Sequence, residues 1–122
     1  MTIKILTIST GKCSNIYFSN SSQEEEKNVL SAIAKTPVSS IDNQVVIGCG
    51  FEGLQGDEHA DLSVHGGQAK AIYCYPVDHY DYWRNAVGAS VIRLSRLDQH
   101  GALGENLTIE GIVEDQVFVG YV

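Results

Sequence analysis

The sequence predicts one mostly-β domain, a barrel of short strands with one or two short helices and a long glycine-rich loop. Three observations carry this. Short apolar stretches with period-two alternation recur along the chain, glycines crowd the joins between them, and no repeat, coiled coil or low-complexity tract appears. At 122 residues, with 43% hydrophobic and 19% charged residues, the chain has the size and composition of a single globular domain.

The elements follow in order. Thr2 to Ser9 alternates Ile3 and Ile5 with Lys4 and Leu6, which reads as a strand ended by Gly11. Ile16-Tyr17-Phe18 reads as a short second strand, followed by the polar turn at 19–23. Residues 22–35 carry two signals. Ser22 with Glu25 resembles a capping box and Val29, Leu30, Ile33 and Ala34 keep helical spacing, while Val29, Ser31, Ile33 and Lys35 alternate as a strand. Gln44 to Ile47 is a β-branched run closed by Gly48. Gly48, Gly50, Gly53, Gly56, Gly66 and Gly67 then exclude a regular element and mark a long structured loop, the kind of segment that carries function. A strand at Ala69 to Tyr75 leaves that loop. Pro76 starts a helix over Val77 to Ala86, with Val77, Tyr80 and Trp83 on one side. Val91 to Leu97 is apolar, 98–101 is a turn, and Leu107 to Ile109 and Gln116 to Val119 complete a β-rich end.

Charge narrows the function. Eight Lys and Arg against fifteen Asp and Glu leave a net charge of −7, a field that repels nucleic-acid backbone and anionic lipid. A small anionic ligand remains compatible, because a local site can oppose the global sign. No apolar run approaches the ~20 residues of a membrane span. The N-terminus lacks the features of a secretory signal, so a cytoplasmic protein is expected. Cys13, Cys49 and Cys74 are odd in number and contain no CxxC, which argues against a zinc knuckle and a disulfide framework.

The densest chemistry lies in 53–70, which holds His59, His65, Asp57, Glu58, Asp61 and Lys70 among glycines. A metal site built from these His and Asp residues matches no standard zinc spacing, and HExxH is absent, so no metal ligand is assigned. An anion site fits better. Gly66-Gly67 lets successive N–H groups converge, Lys70 adds a point charge, and His65 adds a switchable donor. Ordinary turns and caps explain any one of these residues, but not the cluster as readily. A second glycine-flanked group, Gly104-Glu105-Asn106-Leu107, and a third, Ser9-Thr10-Gly11-Lys12, could line the same mouth. No Gly-x-Ser-x-Gly elbow, P-loop or GxGxxG is present, and no catalytic residue is assigned.

Five pieces in order carry a resemblance: Ser9-Thr10-Gly11-Lys12, Gly53-x-x-Gly56-Asp57-Glu58-His59-Ala60-Asp61, His65-Gly66-Gly67-x-x-Lys70-Ala71, Tyr75-Pro76-x-x-His79-Tyr80-x-x-Trp83, and Gly101-Ala102-x-Gly104-Glu105-Asn106-Leu107. Together they resemble the MOSC domain found at the C-terminus of molybdenum-cofactor sulfurases, in its stand-alone YiiM-like branch. The resemblance implies a β-barrel, a strand rather than a helix at 24–34, and a pocket for the pterin molybdenum cofactor. It further implies sulfur handling on that cofactor or reductive detoxification of N-hydroxylated compounds. Pyridoxal phosphate enters only by family association. The pocket lining it implies is Lys12, Asp57, His65, Gly66, Gly67, Lys70, Glu105 and Asn106, with the glycines and Lys70 on a phosphate and Asn106 on pterin edges.

The chain departs from the family pattern at its end. The family's functional cysteine lies downstream of Gly-Glu-Asn-Leu, and none of the three cysteines here matches it. Tyr121 stands where an acidic residue is expected, and Val64-His65-Gly66-Gly67 where the family has His-His-Gly-Gly. A single domain over 1–122 lacking the cysteine-bearing segment is therefore expected, without persulfide chemistry at that position. Cys13 beside Lys12 is the one candidate substitute. A non-catalytic anion-binding module or a relic interaction domain is the alternative function. The apolar Val117-Phe118-Val119 segment suggests an uncovered edge and a homodimer.

Overall fold

The computed structural model describes residues 2–18, 27–63, 66–86 and 97–120. It contains strands β1 (Lys4–Thr10), β2 (Ser14–Phe18), β3 (Lys27–Ser31), β4 (Thr36–Ser40), β5 (Cys49–Gly50), β6 (Gly53–Leu54), β7 (Cys74–Pro76) and β8 (Leu107–Glu110), and helix α1 (Tyr80–Ala86). The mostly-β expectation with one short helix holds. The barrel does not appear: among the described residues the main sheet is open, four strands in the order β4-β1-β8-β7, with β2-β3 and β5-β6 as separate two-stranded pairs.

β1 is the centre of the sheet. It runs antiparallel to β4 and to β8, while β7 joins β8 in parallel. Register slips on both sides of β1, between Ile8 and Ser9 against β4 and between Ile5 and Thr7 against β8. Such bulges bend a strand and re-aim its side chains. The first one also accounts for a strand that the sequence conceals. Pro37 within β4 argues against sheet structure, but it faces Ser9 beside the bulge, on an edge strand, where a missing donor is tolerated.

Other expectations shift for local reasons. β3 is a strand paired with β2, not a helix, as the family resemblance implied. The strand expected at Ala69 to Tyr75 starts only at Cys74, because Gln68–Lys70 is a 3-10 turn and Tyr73 is tied to Asn106. The run at 44–47 forms no strand: Val45 donates its N–H to Ser39 Oγ at 2.9 Å and Val46 is 97% exposed. Gln116 to Val119 is not a strand either. Glu114–Gln116 is a 3-10 turn, its Gln116 side chain accepting from Val113 N–H at 3.1 Å. The helix over 77–86 is present, as the 3-10 turn Val77–His79 running into α1. The apolar run at 91–96 lies outside the described residues.

The interior is unusually polar. Among the described residues, Ala32, Leu54, Tyr80 and Leu97 are the buried hydrophobic side chains, while Thr7, Ser9, Thr10, Lys35, Ser39, Glu105, Asn106 and Thr108 are buried polar ones. Buried polar groups must find partners inside the protein. Where these find theirs locates the candidate site.

Candidate functional site

The segments that meet are the end of β1, the residue pair before β4, the loop at 55–61 and the approach to β8. Asp57 is their hub, with its side chain 1% exposed. Its Oδ1 accepts the Gly11 N–H at 2.9 Å and the Lys35 ammonium at 2.7 Å, and its Oδ2 accepts the Asn106 side-chain amide at 2.9 Å. Local chemistry places it there. Gly56, at φ 89°, takes the left-handed turn that brings Asp57 N–H onto Leu54 O at 3.1 Å. Glu58 then docks on β1, donating its N–H to Gly11 O at 2.9 Å and accepting Cys13 N–H at 2.7 Å. Gly11 must be glycine, since a Cβ there would lie 2.5 Å from the Ala34 carbonyl.

Burial alone would raise the Asp57 pKa. The Lys35 ammonium, then the Gly11 N–H and the Asn106 amide, outweigh it and hold the carboxyl below its ordinary value. Lys35 is itself nearly closed off, its side chain 6% exposed. Asp57 takes one of its three ammonium hydrogens, and no other acceptor for it is found among the described residues.

Asn106 acts as a staple. Its amide hydrogens go to Ser9 O at 3.2 Å and Asp57 Oδ2 at 2.9 Å, and its Oδ1 accepts Tyr73 N–H at 3.0 Å. Its backbone pairs with Tyr73 O and Ser9 N–H at 2.8 and 2.7 Å. Glu105, fully buried, accepts from Gly101 N–H at 3.1 Å, Leu103 N–H at 3.0 Å, the Thr108 hydroxyl at 3.0 Å and the Tyr80 hydroxyl. It thereby closes its own loop. Burial, and then the Glu105 carboxylate, push the Tyr80 hydroxyl well above its usual range.

A cavity of about 710 Å³ opens beside this network. Lys35, His59, Lys70 and Asn106 give it polar lining, and Leu30, Ile33 and Leu103 apolar lining. A few convergent polar groups in an apolar hollow of this size suit a small-molecule site. The His59 ring packs against Gly66, where a Cβ would come 3.0 Å from its Cγ, and its Nε2 lies near Gly53 and 4.0 Å from Asp57 Oδ2. That Nε2 is buried and finds no hydrogen-bond partner among the described residues.

Of the pocket residues that the family resemblance implied, Gly66, Lys70 and Asn106 line the cavity, joined by His59 and Asp61 from the 53–70 cluster. Asp57 sits beneath it and holds Lys35 and Asn106. Glu105 sits outside it, bonded to its own loop. Gly66 and Gly67 both adopt positive φ, 89° and 73°, but Gly67 does not line the cavity. Lys12 is exposed and away from it. His65 lies outside the described residues. Lys35 is the residue that sequence reasoning passed over, a single lysine before Thr36-Pro37 with no motif around it. Among the described residues, no group of three or more His, Cys, Asp or Glu side chains is placed to hold a metal ion. No helix among them is long and apolar enough to cross a membrane.

Comparison with known proteins follows the same residues. The MOSC domain family matches 61–122. The uncharacterized protein YflK of Bacillus subtilis (strain 168) is 32% identical over 116 residues, covering 95% of this chain and 44% of that protein. Protein YiiM of Escherichia coli (strain K12) is 40% identical over 68 residues, 56% of this chain and 29% of that protein. A protein named reductase in Gibberella moniliformis (strain M3125 / FGSC 7600) is 39% identical over 72 residues, 59% of this chain and 12% of that protein. The chain thus spans less than half the length of these curated relatives. No solved structure matches it.

Proposed function

The chain belongs to the MOSC domain family, and from that premise we propose that its cavity binds an anionic pterin cofactor of the molybdenum type. The observation that supports this most is the buried Lys35, anchored by Asp57 at the cavity wall with no second acceptor among the described residues. The cavity volume fits a pterin with its phosphate, and the apolar wall of Leu30, Ile33 and Leu103 suits a flat ring. Lys35 and Lys70 would hold the phosphate. Asn106 shapes the wall rather than reading the ligand, since both its amide hydrogens are taken within the chain.

When bound, such a cofactor supplies redox or sulfur-carrying chemistry, the basis for sulfur handling or for reduction of N-hydroxylated compounds. A second reading, a binding module without turnover, draws on the cysteines. Cys13 is half-buried, Cys49 and Cys74 are exposed, and none of the three lines the cavity. A protein thiolate would have to reach the ligand to carry sulfur there.

The test is protein purified from a cofactor-producing host, assayed for molybdenum and for pterin fluorescence after release. The wild type is expected to carry both. The double variant Lys35→Met with Asp57→Asn, which removes both buried charges together, is expected to carry several-fold less while keeping the same circular dichroism. Wild-type protein free of both overturns the cofactor reading.

A further inference from the structure

His59 presents an imbalance that the fold leaves in place. Its Nε2 is buried without a hydrogen-bond partner among the described residues, although buried ring nitrogens normally have one. Asp57 Oδ2 lies 4.0 Å from it, close enough for an ion pair if the ring is protonated. The ring is held there by shape. Gly66 at φ 89° and Gly53 at φ 115° pack against it, and a Cβ on either would crowd its neighbours. The same residue lines the cavity.

The charges facing the ring decide what protonation does. Asp57 faces it from its own loop, but its carboxylate is already matched by Lys35 from the segment before β4. Asp61, Lys70 and Tyr73 line the same cavity, and Asp61 and Lys70 each have an interaction of their own. Gly53 and Gly66, which pack against it, are uncharged. Protonating His59 therefore leaves the Asp57-Lys35-His59 group with one uncompensated positive charge. A dianion in the cavity offsets that charge.

We propose that His59 is the proton-accepting contact of this cavity: a doubly charged oxyanion such as a phosphate monoester binds together with one proton, taken up by His59. This rests on the cavity being an anion site, and it adds a recognition element that the lysines do not supply. Coupling of this kind is reciprocal, so the anion favours the proton as much as the proton favours the anion. A permanent monoanion gains less from it.

Inorganic sulfate is the probe, because it stays a dianion while histidine titrates between about pH 5 and 8. Binding to the full chain is measured by calorimetry in two buffers of different ionisation enthalpy. Sulfate is expected to bind roughly tenfold more tightly at about pH 5.5 than at pH 8, with about one proton taken up per anion. His59→Gln keeps an N–H donor but cannot take the proton. It is expected to bind sulfate with little pH dependence and no proton uptake. Proton uptake that survives in His59→Gln overturns the proposal and leaves the anion site standing. No sulfate binding by the wild type at either pH overturns the anion site and the proposal with it. If His59→Gln does not fold, the His59 ring resonances of the wild type decide. A titration midpoint that rises when sulfate is added supports the proposal, and an unmoved midpoint overturns it.

Discussion

Asp57 and Lys35 form a buried pair in which each charge depends on the other. Removing one partner of such a pair leaves an uncompensated charge and costs about 3–5 kcal/mol, whereas replacing both with neutral groups of similar size is often nearly neutral. Asp57→Asn is therefore expected to destabilise strongly, and Asp57→Asn with Lys35→Met to regain most of that loss. Urea denaturation of the two variants checks this, and equal destabilisation in both would show that the pair is not coupled. The pH dependence has a definite sign. Folding lowers the Asp57 pKa from its ordinary 3.8, so its contribution is complete above that value and disappears as pH falls through the lower folded value. An acid limb below about pH 4 is expected in the wild type and should be reduced in the double variant.

At the scale of elements, β1 and β8 are joined by more than their ladder. Asn106 and Glu105, immediately before β8, tie that strand to Ser9, to Tyr73 and to α1 through Tyr80. The Tyr80–Glu105 contact links α1 to the segment that leads into β8. Removing its hydroxyl in Tyr80→Phe leaves Glu105 with three of its four donors, a loss expected to be about 1–2 kcal/mol. The hydroxyl's raised pKa gives the alkaline behaviour. Stability is complete below the unfolded value of 10.0 and declines as pH rises above it, because only the unfolded chain releases the proton easily. Thermal melts above pH 10 should fall more steeply for the wild type than for Tyr80→Phe, and parallel curves would assign the effect to other groups.

At the scale of the whole molecule, the described surface displays several large apolar side chains. Ile3, just before the central strand, and Ile5 on it are half exposed, and Val117, Phe118 and Val119 are exposed, Phe118 by 66%. Apolar side chains displayed together on a small domain mark surface that another chain covers. We propose that two copies pair through the 117–119 patch, by side-chain burial and not by added strand pairing, because these residues form no strand. The net charge of −7 opposes that pairing, so salt should strengthen it. Sedimentation at micromolar concentration is expected to show a dimer that Phe118→Glu dissociates. A monomer near 13.3 kDa at every salt concentration would rule it out.

What was legible in the sequence is what local spacing encodes. Alternation marked β1, the Ile16-Tyr17-Phe18 run marked β2, Pro76 and the spacing of Val77, Tyr80 and Trp83 marked the helix, and the glycine-flanked motifs marked segments that do meet, at Gly11, Asp57 and Asn106. β4 was hidden because Pro37 is tolerated only through a bulge made with another strand, which no local pattern shows. The roles within the site were equally hidden. Glu105 and Asn106 look like ligand-facing residues in a glycine-rich motif, yet their partners are Tyr80, Ser9 and Tyr73, supplied by distant parts of the chain. Lys35 carries no motif. It matters because folding buries its ammonium against Asp57, twenty-two positions away, at the wall of a cavity. The sequence by itself determined the strand-rich class, the family and the segments that form the site. Tertiary structure alone decided which side chains reach the cavity, because burial and charge pairing depend on distances between residues far apart in the chain.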